Sequence, residues 1–435
     1  MVHRNGKRRG TVAVIVAVCS LVLLSMVALS LDGGVLQDKK RQAQATADAA
    51  AMAAATSLFQ NYPKNQGTDP DGLASAAAFN FAKENGFSND GTNSTVVVNI
   101  PPKSGPYTGL LGYCEVIVTW YQQRAFSRIF GADPIPVRAR AVSRGAWVIP
   151  NAGVIVLAYS GKGTLSSQGN GAFTETGAPV IVNSNNQSAA IDTGNGILKA
   201  PEFDITGGYS SSGNGQLTTT PTPGNINLGV HPTPDPLAYL PVPDPPGAGT
   251  ITKTSLGGGN FQYLLSPGTY YNLPNCSTGD VVIFQQASAG NGGIFYLAAG
   301  GFNSQGATIL MDPNTSGGMM LYNAGTGTND AIKITGNPLG TVNITPLTDG
   351  PYSGLSIFQA RNAPETVNIA GNGNFNIQGT LYVSNALLSV TGNGALSNIG
   401  SQYVSLDLAI GGNGNVFISW AGKNVARTRI ITLVE

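Results

Sequence analysis

The acidic side chains of residues 150–420 are the first place to look for chemistry. Asp192, Glu202, Asp204, Asp280, Asp312, Asp330, Asp349, Glu365 and Asp407 are spread over more than 200 residues. Acid/base work on a sugar, or calcium binding, needs two or three carboxylates brought together, usually with Lys or Arg to balance charge. Only Glu202 and Asp204 stand two apart, on one face if they lie in a strand. Arg361 and Glu365 read as a loop ion pair of little worth if exposed, and the segment Asp330–Lys333 reads as a solvated edge. Cys19, Cys114 and Cys276 form no C-x-x-C pair, and the two histidines, His3 and His231, are far apart. This excludes the usual zinc and haem spacings. The many Gly-x-Gly runs are not followed by Lys-Ser/Thr and a helix, as a phosphate loop requires. No residue is therefore assigned a catalytic, cofactor-binding or metal-ligating role, and the expectation is a protein that is not an enzyme. Exposed tyrosines could still stack on sugars, with Tyr159, Tyr209, Tyr270, Tyr271 and Tyr382 as candidates.

The elements that would carry such groups repeat. Gly-Asn-Gly recurs around Asn170, Asn195 and Asn214 and again around Asn291, Asn372, Asn393 and Asn413, at several spacings of 19 to 25. Between the marks, Val367/Ile369, Phe375/Ile377, Leu381/Val383 and Leu388/Val390 alternate with other residues, the period of a strand with one buried face. Gly and Asn supply the positive φ that a tight corner needs. A period of this length predicts a mainly-β, right-handed parallel β-helix over residues 149–420 with Asn stacked above Asn in a ladder. Residues 218–247 carry nine prolines. Proline cannot donate to a ladder, so this stretch is expected to be a strap along the β-helix, or else a linker between two pieces of it.

The N-terminus is built differently. A basic head at residues 1–10 precedes residues 11–31, which carry no charge, and Asp32 follows directly. At about 1.5 Å per residue, 21 residues of helix span about 30 Å, the thickness of a bilayer's hydrocarbon core. Basic residues ahead of the segment place the N-terminus in the cytoplasm. A cleaved signal peptide is the competing reading, but the apolar run exceeds the usual 7–15 residues of one. Residues 35–60 lack Gly and Pro and favour helix. There Leu36, Ala43, Ala47, Ala50, Ala54 and Leu58 make a stripe of small side chains, suited either to the domain's own sheet or to a seam between copies. A shorter helix is expected at about 72–85. The period then changes to two, with strands at 95–98, 114–120 and 135–142. Residues 32–148 thus read as a small α+β domain, and residues 421–435 as a C-terminal cap or tail.

The overall charge of +1 and the scarcity of charged residues, 10% of 435, leave no basic patch beyond the head to neutralise several phosphates, so nucleic acid is excluded as a partner.

The layout of a basic start, one apolar helix, Asp-Gly-Gly and then LQDKKRQAQATADAAAMAAATSL resembles the N-terminal domain of TadG-like proteins of the Flp (tight-adherence) pilus system. The resemblance covers roughly residues 7–146 and centres on Arg41-Gln42 and Asp48-Ala49-Ala50. Counting from Gly10, the fifth residue is Ile15, where a type IV pilin carries glutamate. The phrases DPLAYLPVP (235–243), SPGTYYN (266–272) and DGPYSGLSIFQAR (349–361) resemble C-terminal regions joined to such domains in planctomycete-type members. The resemblance implies a membrane-anchored envelope protein with a pilin-like α+β domain and a β-helical ectodomain, acting in pilus assembly or adhesion. The partners this names are the membrane, pilus-assembly proteins or further copies of the chain, and surface carbohydrate. The alternative is a carbohydrate-active β-helix enzyme, a lyase or hydrolase, or a sugar-binding module without catalysis.

Overall fold

The computed structural model describes residues 9–287, 293–372, 374–392, 397–422 and 424–435. Asn291 and Asn393 of the Gly-Asn-Gly series lie outside them. The chain forms two compact units, one of residues 1–147 with 429–435, the other of residues 148–428.

The first unit begins with α1, Arg9–Gln60, a single helix of 52 residues. Sequence reading separates a membrane segment from a second helix at Asp32-Gly33-Gly34, yet the helix runs through. A Cβ added at either glycine would meet nothing within 4 Å, so what the glycines cost is intrinsic helix propensity, about 1 kcal/mol each, and the long apolar and Ala-rich arms on both sides carry them. A short helix, α2 (Tyr62–Asn65), and α3 (Leu73–Glu84) follow. Three antiparallel strands come next: β1 (Ser94–Asn99), β2 (Tyr113–Gln122) and β3 (Ile135–Val148). Ala43, Ala47, Ala50, Ala54 and Leu58 of α1 pack with Ala74, Ala78 and Ala82 of α3 against Val96, Val116, Val118 and Ala139 of the sheet. The small-residue stripe is occupied by the domain's own elements. Small side chains permit this: the Ser143 hydroxyl donates to the Ala51 carbonyl at 2.5 Å, and a Cβ at Gly145 would overlap the Ala55 carbonyl.

The fourth strand of this sheet comes from the chain's other end. Thr428–Leu433 lies beside β3, and Val142 donates to the Glu435 carbonyl and accepts from the Val434 N–H, both at 2.8 Å. Of the two sequence expectations for residues 421–435, a cap or a tail, the cap fails: Thr428–Leu433 is an edge strand of the first unit's sheet. Its alternation of Ile430 and Thr432 with Arg429 and Ile431 suits an edge, and β3 offers an unpaired one.

The second unit is mostly β, and its strands pair almost entirely in parallel. In one sheet the order is Asn225–Leu228, Glu202–Ile205, Val180–Val182, Val154–Val156, Gln402–Gly412, Thr380–Gly392, Leu355–Gln359, Met320–Asn323, Ile294–Leu297 and Gly268–Tyr270. The two central strands of this order, Gln402–Gly412 and Thr380–Gly392, continue past an irregularity at 383–387 into a second row. That row includes Leu165–Gly169 and Ala190–Gly194 on one side and Val367–Gly371 and Ile332–Gly336 on the other. A separate sheet runs from Gln216–Thr219 through Ala172–Glu175 and Val416–Ile418 to Asn260–Leu265, ending on one antiparallel strand, Ile251–Gly257. Leu165, Phe173, Val180, Phe284, Ile309, Ile369, Leu381 and Val416 from all three rows share one core.

The strand order is cyclically displaced relative to the sequence. The unit's first strand, Val154–Val156, pairs with nearly its last, Gln402–Gly412. From there the chain adds strands outward to Asn225–Leu228, then restarts at the opposite edge, Gly268–Tyr270, and works back. The Pro-rich segment makes the return. Nine strand spacings separate those edges, about 43 Å, and residues 229–247 reach about 59 Å if extended as polyproline II. The segment is shorter than its composition indicates, because Gln216–Thr219 and Asn225–Leu228 are strands. Leu237 and Leu240 pack on Tyr322, Phe358 and Tyr382, the outward side chains of the first sheet. Met320–Asn323 and Leu355–Gln359 are consequently buried on both faces, whereas Glu202–Ile205 and Ile197–Ala200 alternate.

Candidate functional site

The outer surface of α1 over residues 12–31 is apolar and uncovered; Leu24 is 70% exposed. Two of its hydroxyls bond within the helix, Ser25 donating to the Leu21 carbonyl at 2.8 Å and Ser30 to the Met26 carbonyl at 2.9 Å. In lipid, an unsatisfied polar group would cost several kcal/mol. Directly above, the Asp32 carboxylate accepts the Ser127 N–H at 2.7 Å. This ties the helical turn Phe126–Phe130 to the helix. The Arg124 Nε donates to the Asp133 carbonyl at 2.8 Å. A groove of about 440 Å³ opens between the helix and this turn.

Farther along the same unit, Glu115 of β2 is buried. It accepts from Asn99 Nδ2 at 2.7 Å, the Lys103 N–H at 3.1 Å, the Ser104 hydroxyl and Arg140 Nε at 2.6 Å. Burial pushes its pKa up, but the bonds from Ser104, Arg140 and Asn99 outweigh it and hold the carboxyl at about 2. Arg140 also reaches Glu435 at 2.7 Å, which fastens the C-terminal strand. Cys114 is buried beside this network, and burial pushes its thiol far above the usual range.

In the second unit three of the acids accept backbone N–H groups at turns and strand ends. Asp280 accepts the Phe261 and Ser277 N–H groups at 2.7 and 2.8 Å, Asp312 the Asn314 N–H at 2.9 Å, and Asp330 those of Gly300 and Gly327 at 2.6 and 2.7 Å. Glu202 and Asp204 do share a face, where Asn227 Nδ2 bonds both, at 2.7 and 2.8 Å. Asp192 is buried, and burial raises its pKa. Glu175 is also buried; burial pushes it to about 7 despite bonds from the Gly177 and Ala178 N–H groups at 2.7 and 3.2 Å. Among the described residues no group of three His, Cys, Asp or Glu is placed to hold a metal ion.

Of the candidate stacking tyrosines, Tyr270 and Tyr382 are buried, while Tyr159, Tyr209 and Tyr271 are exposed. Tyr159 and Tyr271 follow strands six positions apart in the first sheet, about 29 Å, so they do not make one strip. Arg361 turns away from its expected partner. Its Nε donates to the Tyr382 hydroxyl at 2.9 Å and its Nη2 to the Leu237 carbonyl at 2.8 Å, while Tyr382 donates to Asp235 at 2.7 Å. These bonds clasp the Pro-rich segment; sequence reading has no signal for the two that reach it, because Leu237 and Asp235 lie more than 120 residues from Arg361 and Tyr382. The asparagine ladder is present: Asn170 Nδ2 donates to Asn413 at 2.9 Å, Asn195 to Asn170 at 2.8 Å and Asn214 to Asn195 at 2.9 Å. Its first rung joins residues 243 apart.

Comparison with known proteins meets the chain at its N-terminus. Residues 10–57, the length of α1, match the family described as putative Flp pilus-assembly TadE/G-like. The match stops at 57, whereas the resemblance read from sequence runs to about 146. No curated protein matches the chain. Among solved structures, the competence-associated pilin ComZ from Thermus thermophilus aligns at 11% identity over 79% of this chain and 87% of that one, with a TM-score of 0.28. At that score the likeness carries no argument about fold or function.

Proposed function

We propose, from the premise that the N-terminal segment is TadE/G-like, that this chain is a single-pass envelope protein with a structural or adhesive role in Flp-type pilus assembly. Its N-terminus is cytoplasmic and the bulk of the chain lies outside the membrane. One observation carries the reading: α1 is continuous, with an uncovered apolar surface over 12–31 and an Ala stripe buried in its own domain beyond Ala43. A helix of this kind holds a folded domain at a fixed height above a bilayer.

In the same reading the second unit is a right-handed parallel β-helix, begun in mid-course and completed by a strap. Three parallel rows around one core and the asparagine ladder support it, as does the strong preference for right-handed parallel crossovers. The unit is a non-catalytic surface. The turn-building roles of Asp280, Asp312 and Asp330 and the separation of the exposed tyrosines favour this over the carbohydrate-active alternative.

The test is affinity capture of the full-length protein from gently solubilised envelope, with mass spectrometry of its partners and of its own N-terminus. Recovery of pilus-assembly components together with an uncleaved residue 1–31 segment is the expected result. A chain beginning near Leu31 without such partners would overturn the reading.

A further inference from the structure

We propose that the groove between α1 and the turn Phe126–Phe130 binds an anionic phospholipid of the outer leaflet. One acyl chain lies along Leu21, Leu24 and Leu29, and the phosphate meets Arg124 and Arg128. The inference rests on the membrane reading above and adds a specific ligand to it.

Position is the first argument. The groove is lined from Leu21 to Leu36, 15 helical steps or about 22 Å. Asp32, the first charge after the apolar segment, marks the water boundary within it. The groove therefore starts in the hydrocarbon layer and ends at headgroup height, so lipid is the molecule that already surrounds its lower walls.

The second argument is how the turn is held. Asp32 is occupied by the Ser127 N–H, and Arg124 Nε by the Asp133 carbonyl, which preorganises the loop without a ligand. Phe126 is nevertheless 54% exposed, beside the apolar groove. A phenylalanine ring so placed inserts at the boundary between headgroups and acyl chains.

Charge is the third. Between Gln122 and Asp133 the loop carries Arg124 and Arg128 and no acid, and Arg124 borders the groove. Long basic side chains keep their heads at the interface while their stems lie on apolar surface. Each basic residue near an anionic surface contributes about fivefold in binding.

The test places the full-length protein in nanodiscs of phosphatidylcholine with a trace of phosphatidylglycerol or phosphatidylcholine bearing a photoactivatable acyl chain, and maps the crosslinks by peptide mass spectrometry. Crosslinks from phosphatidylglycerol should concentrate on residues 21–36 and 124–135 and exceed those from phosphatidylcholine by roughly 10- to 25-fold. The double variant Arg124→Gln/Arg128→Gln should remove most of that preference, and Arg124→Lys/Arg128→Lys should keep it. Equal labelling by the two lipids, or labelling spread evenly over residues 12–31 with none on the loop, overturns the proposal. Alkaline extraction of the same protein from vesicles separates the two levels. A chain that is stripped off loses the membrane reading and this site together, whereas one that resists extraction but lacks focused labelling loses only the site.

Discussion

Arg140→Met removes one partner of a buried ion pair and leaves the other in place. The Glu115 side chain is fully buried and that of Arg140 is 20% exposed. The carboxyl's ordinary value of 4.5 falls to about 2 in the fold, which is worth about 3 kcal/mol at roughly 1.4 kcal/mol per unit. Removing one member of a buried pair costs about 3–5 kcal/mol by a separate route, since the remaining charge is stranded. Asn99, Lys103 and Ser104 still bond Glu115, so the lower figure is expected, about 3 kcal/mol at pH 7. For a unit of roughly 150 residues this lowers Tm by about 6–12 °C.

The pH course gives a second check. The folded pKa is depressed, so Glu115 contributes its full stability above 4.5 and loses it as pH falls towards 2. The difference between wild type and variant should therefore be largest at neutral pH and narrow steadily below 4.5. Thermal unfolding of detergent-solubilised full-length protein measures the loss, and hydrogen exchange in 113–122 and 428–435 assigns it to this unit. Glu435→Gln is the control: Glu435 is 45% exposed, and losing its ion pair should cost under about 1 kcal/mol and respond to salt. A loss below about 1 kcal/mol for Arg140→Met, or one that stays constant down to pH 3, would refute the account.

Three further outcomes are expected. Glu175→Gln should stabilise the second unit by about 3 kcal/mol at pH 8 and have little effect at pH 4. The wild-type carboxyl, raised to about 7, gives stability below 4.5 that is lost as pH rises through 7; unfolding at the two pH values measures this, and a pH-independent effect would contradict it. Asn195→Ala breaks two exposed ladder bonds and should cost about 1–2 kcal/mol in urea denaturation of the second unit; no change would mean the ladder carries no stability. Tyr382→Phe removes the hydroxyl that links Arg361 to Asp235, costing about 1–3 kcal/mol and raising hydrogen exchange in 233–241 above that of the flanking strands. Unchanged exchange there would mean the clasp does not hold the segment.

Features that depend on neighbours in the chain were legible from sequence. The apolar run at 11–31, the Ala stripe and the strand periods are local patterns, and α3 and β1 to β3 fall close to where those patterns put them. Two rungs of the asparagine ladder are legible because they follow one periodicity, 25 and 19 residues; the rung from Asn170 to Asn413, 243 residues apart, is not. Partners distant in sequence were not. Local sequence pairs Arg361 with Glu365, four residues away, because nothing nearby points to Tyr382 or Leu237. A strand tyrosine's type does not say which way it faces or what covers it: Tyr270 points into the inner core beside Phe295, and Tyr382 lies on an outer face that the strap covers.

By itself the sequence determined what each segment is: a helix that suits a bilayer, an Ala-rich helix that suits close packing, and strands with corners at Gly and Asn. These follow from side-chain size, polarity and backbone freedom, which act over a few residues. Tertiary structure alone decided the order in which the pieces meet. Val154–Val156 pairs with Gln402–Gly412, and the last strand, Thr428–Leu433, returns to β3 of the first unit. Parallel strands of similar length and pattern are nearly interchangeable locally. Their order is selected by how far the connections reach and which edges need cover, and both are properties of the whole chain.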